Sequence, residues 1–532
     1  MTFYLLLFSV IMIICIISNR FSSKLGIPAL LVFMAVGMLF GSDGILKIPF
    51  ENYSFAEQIC SVALIFIIFY GGFGTNWQRA KPVALKAGLL SSAGVLITAA
   101  LTGLFCYLVL GTELLESLLI GSVISSTDAA SVFYILRSKK LNLKYNTASL
   151  LEIESGSNDP FSYMLTIIIL TLMEGDIGVK NTLYMMFAQI VFGVSIGVLL
   201  ALAAMWVLKR FQFTTEGFDT VFVLSIAVLA YALANISGGN GYLSVYIAGI
   251  ILGNCKLVNK ASLVHFFDGV TGMMQMLIFF LLGLLSFPSQ MPGILLISFL
   301  IALFLTLVAR PAAVFAIMSP MRCPINQQLL VSWAGLRGAS SIVFAIMATI
   351  SSAYTKNDVF HIVFCVVLMS VSIQGTLLAL VAKKLKMIDN NENVFRTFND
   401  YQEEKSMQFI KVTIPDNHIW ANKKIKDIIL PPQTLLTVMY RDDKAVIPKG
   451  NTVIKTGDTA VLGAFAYDDK HNTLLEEIVI DKFHEWNNKR ISELKTSEKY
   501  LIAMIKRQND IIIPKGNTQI TEGDILVLIE EK

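Results

Sequence analysis

The chain has 532 residues, of which 55% are hydrophobic and 15% charged, a balance that excludes an ordinary soluble domain and a disordered chain. Residues 1–386 hold 15 Asp+Glu and 22 Lys+Arg, leaving 23 acids and 20 bases to the 146 residues that follow. This division reads as a polytopic membrane domain followed by a polar domain large enough for its own core, and the net charge of +4 gives no argument for a nucleic-acid partner because the basic excess lies at membrane edges.

Apolar runs bounded by charges predict thirteen membrane helices, near 3–18, 27–41, 58–74, 87–110, 114–136, 146–173, 183–208, 219–236, 240–254, 266–287, 292–318, 327–350 and 358–382. The first has no basic n-region or small-residue cleavage site and reads as a retained helix. With the N-terminus outside, the cytosolic connections carry seventeen bases, among them Arg79, Lys81, Lys86, Arg137, Lys139, Lys140, Lys144, Lys383, Lys384 and Lys386. The outer connections carry three, Lys47, Lys180 and Lys356, so the positive-inside rule puts the polar tail in the cytosol of a multi-pass cell-membrane protein. Arg310 and Arg337 remain at membrane depth. The six cysteines follow no metal-ligand spacing, and the five histidines are scattered.

Thirteen spans divide as six, one linker and six. The fifth span of each half is interrupted at mid-depth, by Ser125-Ser126-Thr127-Asp128-Ala129-Ala130 and by Trp333-Ala334-Gly335-Leu336-Arg337-Gly338-Ala339-Ser340-Ser341. Paired interruptions in corresponding helices point to the substrate site of an inverted-repeat transporter. Between them, span six carries Glu154-Ser155-Gly156-Ser157-Asn158-Asp159-Pro160. An acid at membrane depth is a functional-site hypothesis, since its charge costs at least a few kcal/mol there. Ser155 and Asp159 share one helix face, and Pro160 cannot donate to the Gly156 carbonyl. Asp159, Ser155, Thr127 and loose carbonyls would form an all-oxygen nest suited to an alkali cation. A bare carboxylate in low dielectric is costly, so Asp159 would hold a proton or a desolvated cation, never both. Glu154 is the expected buried counter-charge of Arg337, as a structural pair. Asp128 joins the ion-site set chiefly as a charge balancing exposed helix ends. Arg310 receives no role, and Gln275 reads as a helix–helix hydrogen bond.

These motifs resemble the monovalent cation:proton antiporters of the NhaP type. Glu-Ser-Gly-Ser-Asn-Asp-Pro is similar to the family's potassium/proton branch. The resemblance covers residues 1–386 and rests on Ser-Thr-Asp-Ala-Ala (126–130), Asn158-Asp159, Gly-Leu-Arg-Gly-Ala (335–339) and a Gly71-Gly72 turn ending span three. It implies a helical antiporter fold with crossed broken helices at spans five and twelve, a homodimer, and a core domain moving against a dimerisation domain. It also implies Asp159 as the shared proton and cation site, surrounded by Asn158, Ser155 and the Thr127 backbone, and electroneutral exchange. Two departures stand out. Tyr70 occupies a position where relatives often carry an acid, and Ser340-Ser341 stands where many have Val-Pro.

After a charged linker at 387–407, the tail contains a repeat offset by 66. Val438-Met439-Tyr440-Arg441 through Ile447-Pro448-Lys449-Gly450-Asn451-Thr452 and Gly457-Asp458 recurs as Met504-Ile505-Lys506-Arg507 through Ile513-Pro514-Lys515-Gly516-Asn517-Thr518 and Gly523-Asp524. Each copy reads as short strands joined by Pro and Gly-Asn turns, which suggests α+β domains at 408–476 and 477–532, the second less complete at its start. The pattern resembles TrkA-C domains in tandem, whose relatives can bind small regulators, cyclic di-AMP among them, at a dimer interface. No Gly-x-Gly-x-x-Gly follows a strand in the tail, which argues against Rossmann-type nucleotide sensing. The expected function is potassium/proton exchange regulated by the tail, needing no cofactor. Sodium in place of potassium is the alternative, and a tail-gated potassium channel is disfavoured by the lack of a carbonyl-filter sequence. An intramembrane enzyme would need a metal or Ser/His motif that is missing.

Overall fold

A computed structural model describes residues 6, 9–18, 28–128, 131–132, 135–136, 141–175, 178–211, 217–255, 260–353, 355–389, 407–416, 418–431, 434–441, 444–465, 475–482, 484–494, 500–507 and 510–530. Ala129, Ala130, Arg137, Lys139, Lys140, His471 and linker residues 390–406 lie outside the described residues. Two compact units result, Met1–Gln402 and Glu403–Lys532.

The first unit is helical. Its segments are α1 (Ser9–Ser18), α2 (Ala29–Phe40), α3 (Tyr53–Gly74), α4 (Ala84–Leu110), α5 (Leu114–Val123) and α6 (Thr147–Met173). They continue as α7 (Val179–Arg210), α8 (Phe218–Ile236), α9 (Gly241–Gly253), α10 (Lys260–Leu285) and α11 (Met291–Met318). The last are α12a (Ile325–Trp333), α12b (Ala339–Ile350) and α13 (Val359–Lys384). Each predicted span thus meets one helix, or one broken pair, among the described residues. At about 1.5 Å per residue the 27 residues of α6 reach roughly 40 Å, enough to cross a bilayer. α7 leaves Leu183, Tyr184, Phe187, Leu199 and Trp206 exposed, a face suited to lipid.

Equivalent positions in the two halves carry equivalent irregularities. α4 and α11 each contain a π-helical stretch, at Leu90–Gly94 and Leu305–Ala309, and α5 and α12 are both interrupted. One expectation is corrected: no turn ends span three at Gly71-Gly72. α3 continues to Gly74, and the glycine at 72 serves instead to let α9 approach; a Cβ there would meet the Tyr246 carbonyl oxygen at 2.5 Å. Small residues permit such contacts where the hydrophobic effect cannot drive helices together.

The second unit contains two four-stranded antiparallel sheets of the same order, β1-β4-β2-β3 and β5-β8-β6-β7. The strands are β1 (Met407–Thr413), β2 (Thr434–Arg441), β3 (Lys444–Val446), β4 (Thr459–Phe465), β5 (Leu475–Val479), β6 (Tyr500–Arg507), β7 (Asp510–Ile512) and β8 (Ile525–Glu530). β5 pairs with β8 over its whole length. The second copy is therefore complete at its start, and a division at 476/477 would cut through a strand. The repeat also duplicates an ion pair. The Arg441 guanidinium grips Asp458 at 2.6 and 2.7 Å, and Arg507 grips Asp524 at 2.7 and 2.8 Å. Arg441 holds the Asp458 carboxyl below its usual range. At Asp524 burial pushes upward, but Arg507 and the Thr521 amide outweigh it. Both carboxyls have depressed folded-state pKa values, so their stabilisation is fully present above the unfolded carboxylate range near pH ~4 and is lost as pH falls through the folded values. Amide hydrogen exchange on the full chain is expected to show 407–530 opening on acidification below that range; unchanged protection down to pH ~2 would contradict it.

Candidate functional site

Residues Ser125 to Asp128 end one apolar helix because their short polar side chains compete for backbone hydrogen bonds. The Ser125 hydroxyl donates to the Ser122 carbonyl at 2.6 Å. After the break, the Asp128 carboxylate accepts from the Ser131 amide at 3.2 Å and from its hydroxyl, the bonding of an N-cap. The break in α12 lies against this one: the Asp128 amide donates to the Leu336 carbonyl at 2.7 Å. Gly338 makes the approach possible, since a Cβ there would meet Asp128 Cβ at 2.4 Å and Cγ at 2.6 Å. Gly338→Ala is expected to force the breaks apart, costing about 1–3 kcal/mol by overpacking and abolishing transport. Thermal unfolding and flux assays on the purified variant check this; wild-type behaviour in both would refute it.

Asp159, from α6, reaches this crossing. Its Oδ1 accepts from the Ser126 hydroxyl, and Ser126 Oγ lies 2.7 Å from Ser340 Oγ at the start of α12b. The carboxylate is therefore tied to both interrupted helices by serines. Ser155 donates to the Thr127 carbonyl and Asn158 Nδ2 to the Thr127 hydroxyl, each at 2.5 Å. Thr127, Asp128, Ser155 and Asp159 line a cavity of about 470 Å³. Asn158 is fully buried behind them and holds Thr127 in place. The arrangement offers oxygen atoms only, with a carboxylate that needs a proton or a cation to be neutral.

The expected Glu154–Arg337 pair is corrected. Glu154 Oε2 pairs with Arg310 Nη2 at 2.8 Å, both side chains being almost fully buried. Arg337 instead donates from Nη1 to the Ser125 and Ser126 carbonyls at 2.7 and 2.8 Å. Carbonyls at an interrupted helix C-terminus lack helical donors and carry partial negative charge, so a guanidinium satisfies them without a carboxylate. Gly335 makes room for the other arginine, because a Cβ there would lie 2.8 Å from Arg310 Nε. Sequence reading also missed Ser126 and Ser340 as partners of Asp159, although both stood in interruptions already marked. Tyr70 proves to donate to Asp268 on α10 at 3.2 Å, and Asp268, Glu152 and Gln275 line the same cavity.

Known proteins are similar to this chain over most of its length. Residues 9–384 match the model of the family described as sodium/hydrogen exchanger, transmembrane, and 409–462 and 475–531 match the TrkA-C domain. The K(+)/H(+) antiporter NhaP of Alkalimonas amylolytica is 31% identical over 86% of this chain and 80% of its own length. The K(+)/H(+) antiporter NhaP2 of Shewanella baltica is 31% identical over 85% and 79%. The sodium proton antiporter MjNhaP1 of Methanocaldococcus jannaschii superposes with a TM-score of 0.63 at 23% identity, covering 71% of this chain and 97% of that one, a likeness of fold. The chain belongs to the sodium/hydrogen exchanger family, as a multi-pass membrane antiporter of monovalent cations and protons followed by two TrkA-C domains.

Proposed function

We propose that the chain exchanges a potassium ion for a proton across the cell membrane, one for one, with both competing for the Asp159 carboxylate. The supporting observation is Asp159 on the cavity wall, bonded through Ser126 to Ser340. A proton neutralises the carboxylate in one half-cycle. In the other, the bare carboxylate takes a desolvated cation with help from the Thr127 and Ser155 oxygens. Movement of the two interrupted helices with α6 would carry that single site between the two sides, and the neutral load would make the exchange electroneutral. The names of the relatives above support potassium as the cation. The excess of bases on alternate connections supports an outer N-terminus and a cytosolic tail, and family membership supports a homodimer. Proteoliposomes with an acid interior test the reading. Added potassium should collapse the gradient with voltage clamped, sodium less so; the lack of any cation-dependent proton flux would overturn it.

The tail is proposed to regulate exchange. Residues leaving α13 pair with the segment that leads into α6: Leu143 bridges Ile388, the Lys144 amide donates to the Met387 carbonyl at 2.9 Å, and the Asp389 amide to the Asn142 carbonyl at 2.9 Å. A displacement of the chain at 387–389 would therefore reach the segment that leads into the helix carrying Asp159. Truncation after residue 389 is expected to keep exchange but shift its pH profile; an unchanged profile would remove the regulatory role. Cyclic di-AMP as the tail's regulator is part of the same proposal, and calorimetry on the full chain showing no heat with it would discard that ligand.

A further inference from the structure

We propose that the cavity holds a second monovalent-cation subsite on its α10 wall, formed by Asp268, Thr271 and Tyr70 and distinct from Asp159. The proposal rests on the antiport reading above. Asp268, Thr271 and Gln275 are spaced i, i+3 and i+7, so they share one face of α10, and all three line the cavity together with Tyr70. The Thr271 residue is 8% exposed, and its hydroxyl oxygen has no hydrogen-bond partner among the described residues. A buried hydroxyl left unpaired is destabilising, and a ligand in the cavity would relieve it. One helical turn away, Tyr70 donates to Asp268 Oδ1 at 3.2 Å. That bond orients the carboxylate on the cavity wall.

The chemistry selects the ligand. Described lining residues include Asp128, Glu152, Asp159 and Asp268 but no Lys, Arg or His, and a cleft of one sign concentrates the opposite ion. The donors are all oxygen, with one carboxylate at the subsite itself, and no cluster of three or more His, Cys, Asp or Glu that could hold a metal ion occurs among the described residues. A singly charged alkali cation, still partly hydrated, fits such a site better than a divalent ion. The subsite would gather cations on the α10 wall before they lose their remaining water at Asp159.

Binding of radiolabelled rubidium to the purified full-length chain, read beside exchange in proteoliposomes, tests this. Asp159→Asn should still bind rubidium, and Asp159→Asn combined with Asp268→Asn should not. In exchange, Asp268→Asn alone should raise the KM for potassium about tenfold while the rate at saturating potassium is retained, the pattern of lost ground-state binding. Thr271→Val, similar in shape, should raise the KM in the same direction and decides the matter if Asp268→Asn fails to fold. Rubidium binding that vanishes with Asp159→Asn alone, or that ignores Asp268→Asn, overturns the subsite. A wild type that shows no exchange but binds rubidium through Asp268 would sink the antiport reading and leave the subsite standing.

Discussion

Asp159→Asn is expected to reduce cation-dependent proton flux by on the order of 100-fold or more, as for removal of an acid–base group that must itself carry the proton. The amide keeps nearly the same shape and still offers an acceptor to the Ser126 hydroxyl, so folding should survive. It can neither release a proton in the working pH range nor supply the charge that pairs with a cation. Loss of function with a near-native unfolding temperature is therefore the expected combination. The measurement is gradient collapse in proteoliposomes, with unfolding of the same preparation as its control. Flux near the wild-type level in a well-folded sample would move the ion site elsewhere.

The second large effect concerns the buried ion pair. Arg310→Ala should leave the Glu154 carboxylate buried without its partner, at a cost of about 3–5 kcal/mol, enough to remove most folded protein. The specific test is rescue. Because Glu154 binds Arg310 at 2.8 Å, Arg310→Met with Glu154→Gln should regain much of the lost stability, as neutral replacements of buried pairs often do. Arg337→Met with Glu154→Gln should not, since the Ser125 and Ser126 carbonyls would then lose their donor. A double-mutant cycle read by thermal unfolding separates the two. Coupling of Glu154 to Arg337 larger than to Arg310 would refute the pairing seen here.

Much of the membrane unit was legible because a bilayer leaves a chain few options. Every backbone group must be satisfied within the segment, so apolar length alone marks helices. The predicted 146–173 and 240–254 differ from Thr147–Met173 and Gly241–Gly253 by a residue at most at each end. Both interruptions were visible for the same reason in reverse: Ser125 to Asp128, and Ala334 to Gly338, are too polar or too small to continue a lipid-facing helix. In the tail, the offset of 66 carried the strands, and β2 with β6, and β3 with β7, keep that spacing. Gly71-Gly72 misled because a glycine pair reads as a turn, whereas in a membrane bundle it marks a close helix crossing.

What the sequence by itself determined is the inventory: thirteen spans, two interruptions, an acid at depth on α6, and a duplicated tail. Periodicity reports which residues are buried and charged, since each such residue bears its cost wherever it sits. The tertiary structure alone decided who meets whom. Glu154 had two arginines to choose from, 156 and 183 positions away, and chain spacing carries no information about which one folding brings within 2.8 Å. The same holds for Ser126 with Ser340 and for Tyr70 with Asp268, pairs separated by 214 and 198 residues. Such contacts depend on how helices cross, and crossings are set by the shapes of two surfaces at once, which no single stretch of chain contains.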